Sequence, residues 1–412
     1  GSLDPQCGGG AGFATFSLCV DCRDTATAVR LQDGVLDLFG SSYHPNDLPV
    51  ATARYAVKSV SAGTLATLSN RWGQASGGLR FDPGHTLNVG NAIVGIAAGP
   101  GNSVFYGGER PSSGMLLGRL DENGSQEANF DHGGKPSRLI SDGRFNPRGI
   151  DWNDSIDRIA VAAAHQVGGT LDSVKVDLFQ FDGRLPSPVP VSTVTFPSLM
   201  PARDVNLPYV FSLSDGKFVT ASASHEDGTI GVARFTAAAT ADTTFDGGLP
   251  YRLMTTLVSL TSGWGPQAAR AVDGTVYLAG AQSGTVWVNA MRLADGAVRR
   301  ASLSFAGSSH VVRAVIPQPD GGVLVLGSAE QSLVRRAFLV RFRPSTLASG
   351  LEADTTAFAG GFPQTTDVLA GLLNGDPYAV EAAERDADGR ILAVGWRTDG
   401  GQNRMLAACI LP

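Results

Sequence analysis

Short runs in which apolar and polar side chains alternate recur along the whole chain, each broken by a tight-turn dipeptide and followed by a second apolar run that ends in Gly or Ala. Alternation with a period of two predicts β-strands, because successive side chains on a strand point to opposite faces. The breaking dipeptides are Asp33-Gly34, Pro100-Gly101, a degenerate Ile156-Asp157, Asp215-Gly216, Asp273-Gly274, Asp320-Gly321 and Asp388-Gly389, at a mean spacing of about 59 residues. Asp-Gly suits such turns because both residues tolerate a positive φ. The unit around Asp215-Gly216 reads most clearly: Tyr209 to Ser214, the turn, Lys217 to Ala223, a polar loop at Ser224 to Thr229, Ile230 to Phe235, and a closing segment from Ala241 to Gly248. The next unit repeats the order with Ala268 to Val272, Val276 to Gly280 and Val288 to Leu293, and the one after with Val311 to Ile316, Val323 to Gly327 and Phe338 to Phe342. Only Asp367 to Leu373 suggests a helix. The chain is expected to be all-β.

Composition agrees. Of 412 residues, 43% are hydrophobic, 17% are charged and 52 are Gly, which is a core-forming, turn-rich balance. A single array of seven units accounts for this length better than two or three unrelated domains. A formal charge of −6 without a basic stripe argues against a nucleic-acid surface. No run reaches the roughly 18 to 20 apolar residues needed to span a bilayer, so no membrane span is expected. Gly1-Ser2 reads as a cloning scar, consistent with removal of a signal peptide ahead of it. Cys7, Cys19, Cys22 and Cys409 sit at the two ends of the chain, a placement that suits a clasp in an oxidising compartment.

The third strand of most units ends on Arg and a bulky residue, as in Arg54-Tyr55, Arg119-Leu120, Arg234-Phe235, Arg292-Leu293 and Arg341-Phe342. With the closing Leu-Asp-x-x-Phe-Gly-Gly pattern, this resembles the delta-60 repeat family of bacterial, mostly exported proteins. The resemblance covers nearly the whole chain. It is strongest in units four to six and weakest in the third, where Asp151-Trp152-Asn153-Asp154 replaces the usual approach and no closing Leu-Asp strand is evident. It implies a seven-bladed β-propeller of four-stranded antiparallel blades, one domain over residues 1–412, and no shared activity. Unit seven stops after its third strand, Arg404 to Leu411, while Leu3 to Gly10 matches the closing segment, so residues 3–10 are expected to complete the last blade with 376–411. Cys7 stands at the Phe of the closing pattern and Cys409 at the recurrent Arg. A Cys7–Cys409 disulfide is therefore expected, leaving Cys19 with Cys22, although four cysteines allow three pairings. Such a closure would stabilise by roughly 4 to 5 kcal/mol.

Cys19-Val20-Asp21-Cys22 also has redox or zinc half-site spacing, but no second pair or nearby His completes a metal set, and Arg23 stands where a haem-attachment motif needs His. A structural disulfide is the expectation, and no metal or cofactor is anticipated. The sequons Asn123-Gly124-Ser125 and Asn153-Asp154-Ser155 are short enough to occur by chance, and Gly8 to Gly12 lacks the Lys of a phosphate loop. All six histidines are read as loop residues on one side of the blades: His44, His165 and His225 after second strands, and His85, His132 and His310 between units. Arg110, Gln282, Glu330 and Arg397 fall at matching positions in the other units. Asp24, Asn91, Arg148, Asn206, Trp264, His310 and Tyr378 begin the inner strands. Trp264 and Trp396 are the tryptophans on this side that could stack on a sugar, while Trp72, Trp152 and Trp287 are expected to pack in the core.

The candidate ligand face is thus His44, His85, Arg110, His165, His225, Trp264, His310, Trp396 and Arg397, with no catalytic residue assigned. The expected role is binding: a monomeric exported module, secreted, periplasmic or on the cell surface, displaying loops toward a protein or glycan partner. One rival is a lyase or hydrolase using His310, His225 or His165 as general base and Arg148 or Arg397 to stabilise an anion. Another is a structural component of a cell-surface assembly.

Overall fold

A computed structural model describes residues 2–19, 21–43, 54–65, 78–81, 93–110, 114–130, 137–140, 144–167, 170–180, 192–196, 206–223, 229–246, 251–255, 267–305, 308–331, 334–345, 350–354 and 378–411. Strands β1 (Ser2–Leu3) and β2 (Phe13–Phe16) lead into β3 (Arg23–Gln32), β4 (Val35–Tyr43), β5 (Arg54–Ser61) and β6 (Gly78–Phe81). The second sheet is β7 (Ile93–Ala98), β8 (Val104–Arg110), β9 (Gly114–Leu120) and β10 (Ser137–Ile140); the third is β11 (Arg144–Asn153), β12 (Arg158–Val167), β13 (Thr170–Gln180) and β14 (Ser192–Phe196). The fourth is β15 (Asn206–Ser212), β16 (Phe218–Ala223), β17 (Thr229–Phe235) and β18 (Tyr251–Thr255); the fifth is β19 (Ala268–Val272), β20 (Thr275–Gln282), β21 (Thr285–Arg292) and β22 (Val298–Ser304). The sixth is β23 (Ser308–Pro317), β24 (Val323–Gln331), β25 (Val334–Pro344) and β26 (Leu351–Ala353). In the seventh, β27 (Tyr378–Arg385), β28 (Ile391–Asp399) and β29 (Gln402–Leu411) are joined by β1 and β2, which pair with successive stretches of β29.

The described residues therefore form seven antiparallel up-and-down sheets. Each of the seven dipeptides falls between the first and second strand of its sheet. Asp33-Gly34 and Asp273-Gly274 make two-residue turns with positive φ at both positions. Four others share a five-residue turn closed by the N–H of the first residue on the carbonyl of the fifth: Gly99 on Ser103, Leu213 on Lys217, Gln318 on Gly322 and Asp386 on Arg390.

Two compact units divide the chain, residues 1–81, 277–289 and 299–412 in one and 82–276 and 290–298 in the other. In the first, Leu324, Leu326 and Leu339 of the sixth sheet pack on Val380, Ala393 and Leu406 of the seventh. The opposite face of the seventh, with Leu392, Val394 and Ala407, meets Leu36, Leu38 and Val60 of the β3–β6 sheet. In the second unit, Ile159, Val161 and Ala163 face Phe105 and Leu117, while their neighbours Ala160 and Ala162 face Val210 and Phe218. Alternation here assigns apolar residues to two flanking sheets rather than to core and solvent. The second strands consequently read as near-continuous apolar runs. The third unit does have a closing strand, β14, which pairs with β13; Ser192–Phe196 lacks the Leu-Asp pattern and carries no mark on that criterion. The segment Asp367 to Leu373 lies outside the described residues.

The recurrent Arg at the end of the third strand is a staple in three sheets, whereas Arg54 begins β5 and does not end it. Arg234 Nε donates to Asp242 at 2.7 Å, its guanidinium lies 4.9 Å from the Phe245 ring centre, and Asp242 N–H returns to the Arg234 carbonyl at 2.9 Å. Lys217 adds a second cation at 3.0 Å. Burial opposes ionisation of Asp242, but hydrogen bonds from Thr244 and Lys217 together with Arg234 outweigh it and hold the carboxyl far below the ordinary range. Arg341–Asp354 at 3.2 Å and Arg119–Glu127 at 3.9 Å repeat the arrangement with the same backbone return. The seventh sheet departs from it. Leu392 opposes Cys409 in the register where Val219 opposes Arg234 and Leu324 opposes Arg341. Asp4 N–H returns to the Cys409 carbonyl at 3.0 Å, as Asp242 does to Arg234, and Cys7 occupies the Phe245 position. Cys7 and Cys409 form a disulfide in place of the cation–ring contact. The Asp4 carboxylate is met by Arg390 at 3.5 Å, the counterpart of Lys217.

A second recurrent residue is explained by sterics. Gly40, Gly327 and Gly395 sit near the ends of second strands, opposite Ala26, Val312 and Val380, where a bulge interrupts the first strand. The bulge turns a carbonyl inward. A Cβ on these glycines would lie 1.9 Å from Thr25 O, 2.2 Å from Val311 O and 1.9 Å from Ala379 O.

Candidate functional site

Up-and-down topology puts the dipeptide turns and the third-to-fourth connections at one end of each sheet, and the second-to-third and inter-sheet connections at the other. The second end carries the sequence-derived candidates. His44, His85, His132, His225 and Trp264 lie outside the described residues. Arg110 ends β8 opposite Gly114. His165 is not in a loop: it lies within β12, opposite Arg144 and Ser173. The β12–β13 hairpin continues to Val167 and Thr170 through polar residues, which the apolar pattern could not mark as strand.

His310 also lies in a strand, in the β23 bulge just after Ser309, whose φ is 51°. It is buried, with its ring 4.6 Å from Phe305 and 6.1 Å from Phe338. Among the described residues neither ring nitrogen has a hydrogen-bond partner, and burial lowers its pKa. A general base needs its nitrogen within reach of a substrate proton; this imidazole is packed against phenyl rings instead. Because the unfolded chain takes up the proton more readily, stability present above about pH 6.5 is lost on acidification. His310→Phe is expected to flatten this loss between pH 7 and 5, measured as urea midpoints.

Two further residues that begin inner strands are also structural. Asp24, fully buried, accepts from Leu18 N at 2.8 Å and Ser17 Oγ at 3.2 Å. Tyr378, also buried, accepts the Ala337 N–H at 2.8 Å on its hydroxyl. Trp287 is buried and Trp152 stacks on Phe105 at 5.5 Å, as core residues do.

Trp396 and Arg397 are both half-buried near the end of β28, and the pleat sends adjacent side chains to opposite faces. Arg397 lies 5.4 Å from the Phe13 ring centre. In the register it opposes Tyr378 on one side and Arg404 on the other. Directly opposed like charges disfavour each other; Arg404 is partly balanced by Asp399 at 3.3 Å. The Arg397–Arg404 pair escapes a sequence reading because cross-strand pairing depends on register, not on spacing along the chain. Together they give this end of the seventh sheet a pair of arginines on one face, with the Trp396 indole on the other. Among the described residues, no group of His, Cys, Asp and Glu could hold a metal. No described helix is long and apolar enough to cross a membrane.

In the irregular third unit, Asp151 on β11 accepts the N–H of Trp152 at 2.9 Å and that of Ser212 from the adjacent sheet. Although it keeps some solvent contact, burial pushes its carboxyl up to about 6 against those hydrogen bonds. Between pH 4 and 6 the folded protein holds a proton that the unfolded chain releases. Stability is therefore expected to fall as pH rises through this window, by up to about 3 kcal/mol. Asp151→Asn is expected to abolish that slope in urea titrations.

No protein-family model matches the chain, and no curated protein is similar to it in sequence. Among solved structures it is similar to the Dos1 propeller, with a TM-score of 0.43 and 11% identity over 87% of this chain and 75% of that one. It is similar to the NanB sialidase from Streptococcus pneumoniae, with a TM-score of 0.43 and 9% identity over 94% and 69% of the two chains. It is also similar to the polysaccharide lyase Uly1, with a TM-score of 0.49 and 7% identity over 94% and 90%.

Proposed function

We propose that the chain is an exported, seven-bladed β-propeller of the delta-60 repeat type that acts as a binding module for a protein or glycan partner. The observation that carries this reading is the inequality between the two ends of the sheets. One end is standardised in its anchors, though not in length: four turns share the same closing hydrogen bond, and three third-to-fourth connections are anchored by the same backbone return at Glu127, Asp242 and Asp354, while these connections run from five residues to 16. The other end varies. Two residues separate β20 from β21, ten separate β4 from β5, and 24 separate β26 from β27. A repeat scaffold that keeps the same anchors at one end and carries its longest insertion at the other concentrates recognition where that insertion lies. Two disulfides support placement outside the reducing cytosol. At the varied end of the seventh sheet, the half-buried Trp396 and the Arg397–Arg404 pair supply apolar and cationic surface for a partner.

A glycan microarray and a capture assay on cell-envelope extracts test this. Labelled protein is expected to be retained by a defined glycan class or a single protein. Retention should drop at least about tenfold in Arg404→Ala, the worth of one charged contact, and persist in Arg343→Ala, whose exposed Glu352 pair sits at the standardised end. No retention in either assay, or equal loss in both variants, contradicts the reading.

A further inference from the structure

The two disulfides are unlike in kind. Cys7 and Cys409 are fully buried and 402 residues apart in sequence. Cys19 and Cys22 are three apart, and burial is uneven between them: Cys22 is buried, whereas Cys19 keeps solvent contact. Tying residues three apart removes little entropy from the unfolded chain, so stabilisation accounts poorly for this bond. Its loop is held closed without it. Asp24, just after Cys22, accepts from Leu18 N and Ser17 Oγ, just before Cys19. Ser17 Oγ is also 2.6 Å from the Cys19 carbonyl, and Cys22 N–H reaches the same carbonyl at 3.4 Å. With its amide oriented to suit, Gln402 of β29 donates to the carbonyls of Asp21 and Cys22, both at 2.9 Å. These bonds keep residues 19 and 22 adjacent whether or not the sulfurs are joined.

We propose that Cys19–Cys22 is a thiol–disulfide exchange site that takes two electrons from a dithiol. A thiolate of the dithiol attacks the accessible Cys19 Sγ. The Cys19–Cys22 bond breaks, and Cys22 leaves as a thiolate that takes up a proton. The second thiol of the reagent, as its thiolate, attacks the reagent sulfur of the mixed disulfide and expels Cys19, which is protonated in turn. The dithiol ends as an internal disulfide, and Cys19 and Cys22 end as thiols. Asp24 acts as a positioning residue by holding the closed loop.

The test uses the folded, oxidised protein with dithiothreitol, and separately with a reduced Cys-x-x-Cys protein, followed by alkylation and peptide mass spectrometry. The Cys19–Cys22 bond is expected to be reduced, and Cys19 alkylated, at least about 100-fold faster than Cys7 and Cys409, whose exposure needs local opening, with the circular dichroism spectrum unchanged. A faster reaction with the protein dithiol assigns that source; a faster reaction with dithiothreitol assigns a small-molecule one. Oxidised dithiothreitol should restore the bond, and restoration should slow at least about tenfold in Asp24→Asn. In Cys22→Ser, Cys19 should accumulate as a mixed disulfide with glutathione; should that variant not fold, the wild-type alkylation order decides. Reduction of all four cysteines together, resistance of Cys19–Cys22 in the folded protein, or reduction only with loss of the native spectrum would overturn the proposal.

Discussion

Replacing Cys7 and Cys409 together by alanine is expected to lower stability by about 5 kcal/mol, near the top of the range for a disulfide that closes so long a loop. For a chain of this length that corresponds to a fall of about 6 °C in the thermal midpoint, read by circular dichroism without reductant. The loss should be partly reversed by Cys7→Phe with Cys409→Arg, because that pair restores the residue types found at the same register in other sheets. The introduced guanidinium would meet Asp4, as Arg234 meets Asp242, and the introduced phenyl ring would lie under it, as the Phe245 ring lies under Arg234. Arg390 need not move, since Lys217 and Arg234 share Asp242. If the double replacement by Phe and Arg proves no better than that by alanine, the equivalence between clasp and staple is wrong.

The second large effect is expected at Gly395. Its Cβ would fall 1.9 Å from Ala379 O and 2.9 Å from Ala379 C, both backbone atoms that cannot rotate away. Gly395→Ala must therefore flatten the β27 bulge or separate two strands, at a cost of about 3 kcal/mol or more. Gly40→Ala and Gly327→Ala should behave alike, because Thr25 O and Val311 O take the same position. Gly34→Asn is the control: its φ of 70° suits Asn, and nothing lies within 4 Å of the added Cβ. That variant should change the urea midpoint little. A Gly395→Ala protein as stable as the control would show that the bulge does not constrain the second strand.

The repeat is legible in the sequence because its markers are local. A turn that needs positive φ selects Asp-Gly whatever surrounds it, and the third-strand Arg recurs at Arg119, Arg234 and Arg341, where the segment that follows presents a carboxylate. The Cys7–Cys409 pairing is legible for the same reason, as paired departures from one pattern. What escapes depends on register. Ser192–Phe196 closes its sheet without the marker sequence. His165 and His310 read as loop residues because strands extend past their apolar stretches. Arg397 and Arg404 meet only once β28 and β29 are aligned. The apolar core is half-legible: strands flanked by sheets on both faces carry no polar phase to count.

The most direct test of this account is amide hydrogen exchange along the two chain ends, followed by mass spectrometry. Residues 13–16 pair with 405–408 of β29, and the Cys7–Cys409 bond anchors that pairing. In the oxidised protein the two segments are expected to be protected to a similar degree, and to lose protection together in the Cys7→Ala, Cys409→Ala variant. Rapid exchange at 13–16 while 405–408 stay protected in the oxidised protein would mean that the N-terminal strand does not belong to the seventh sheet.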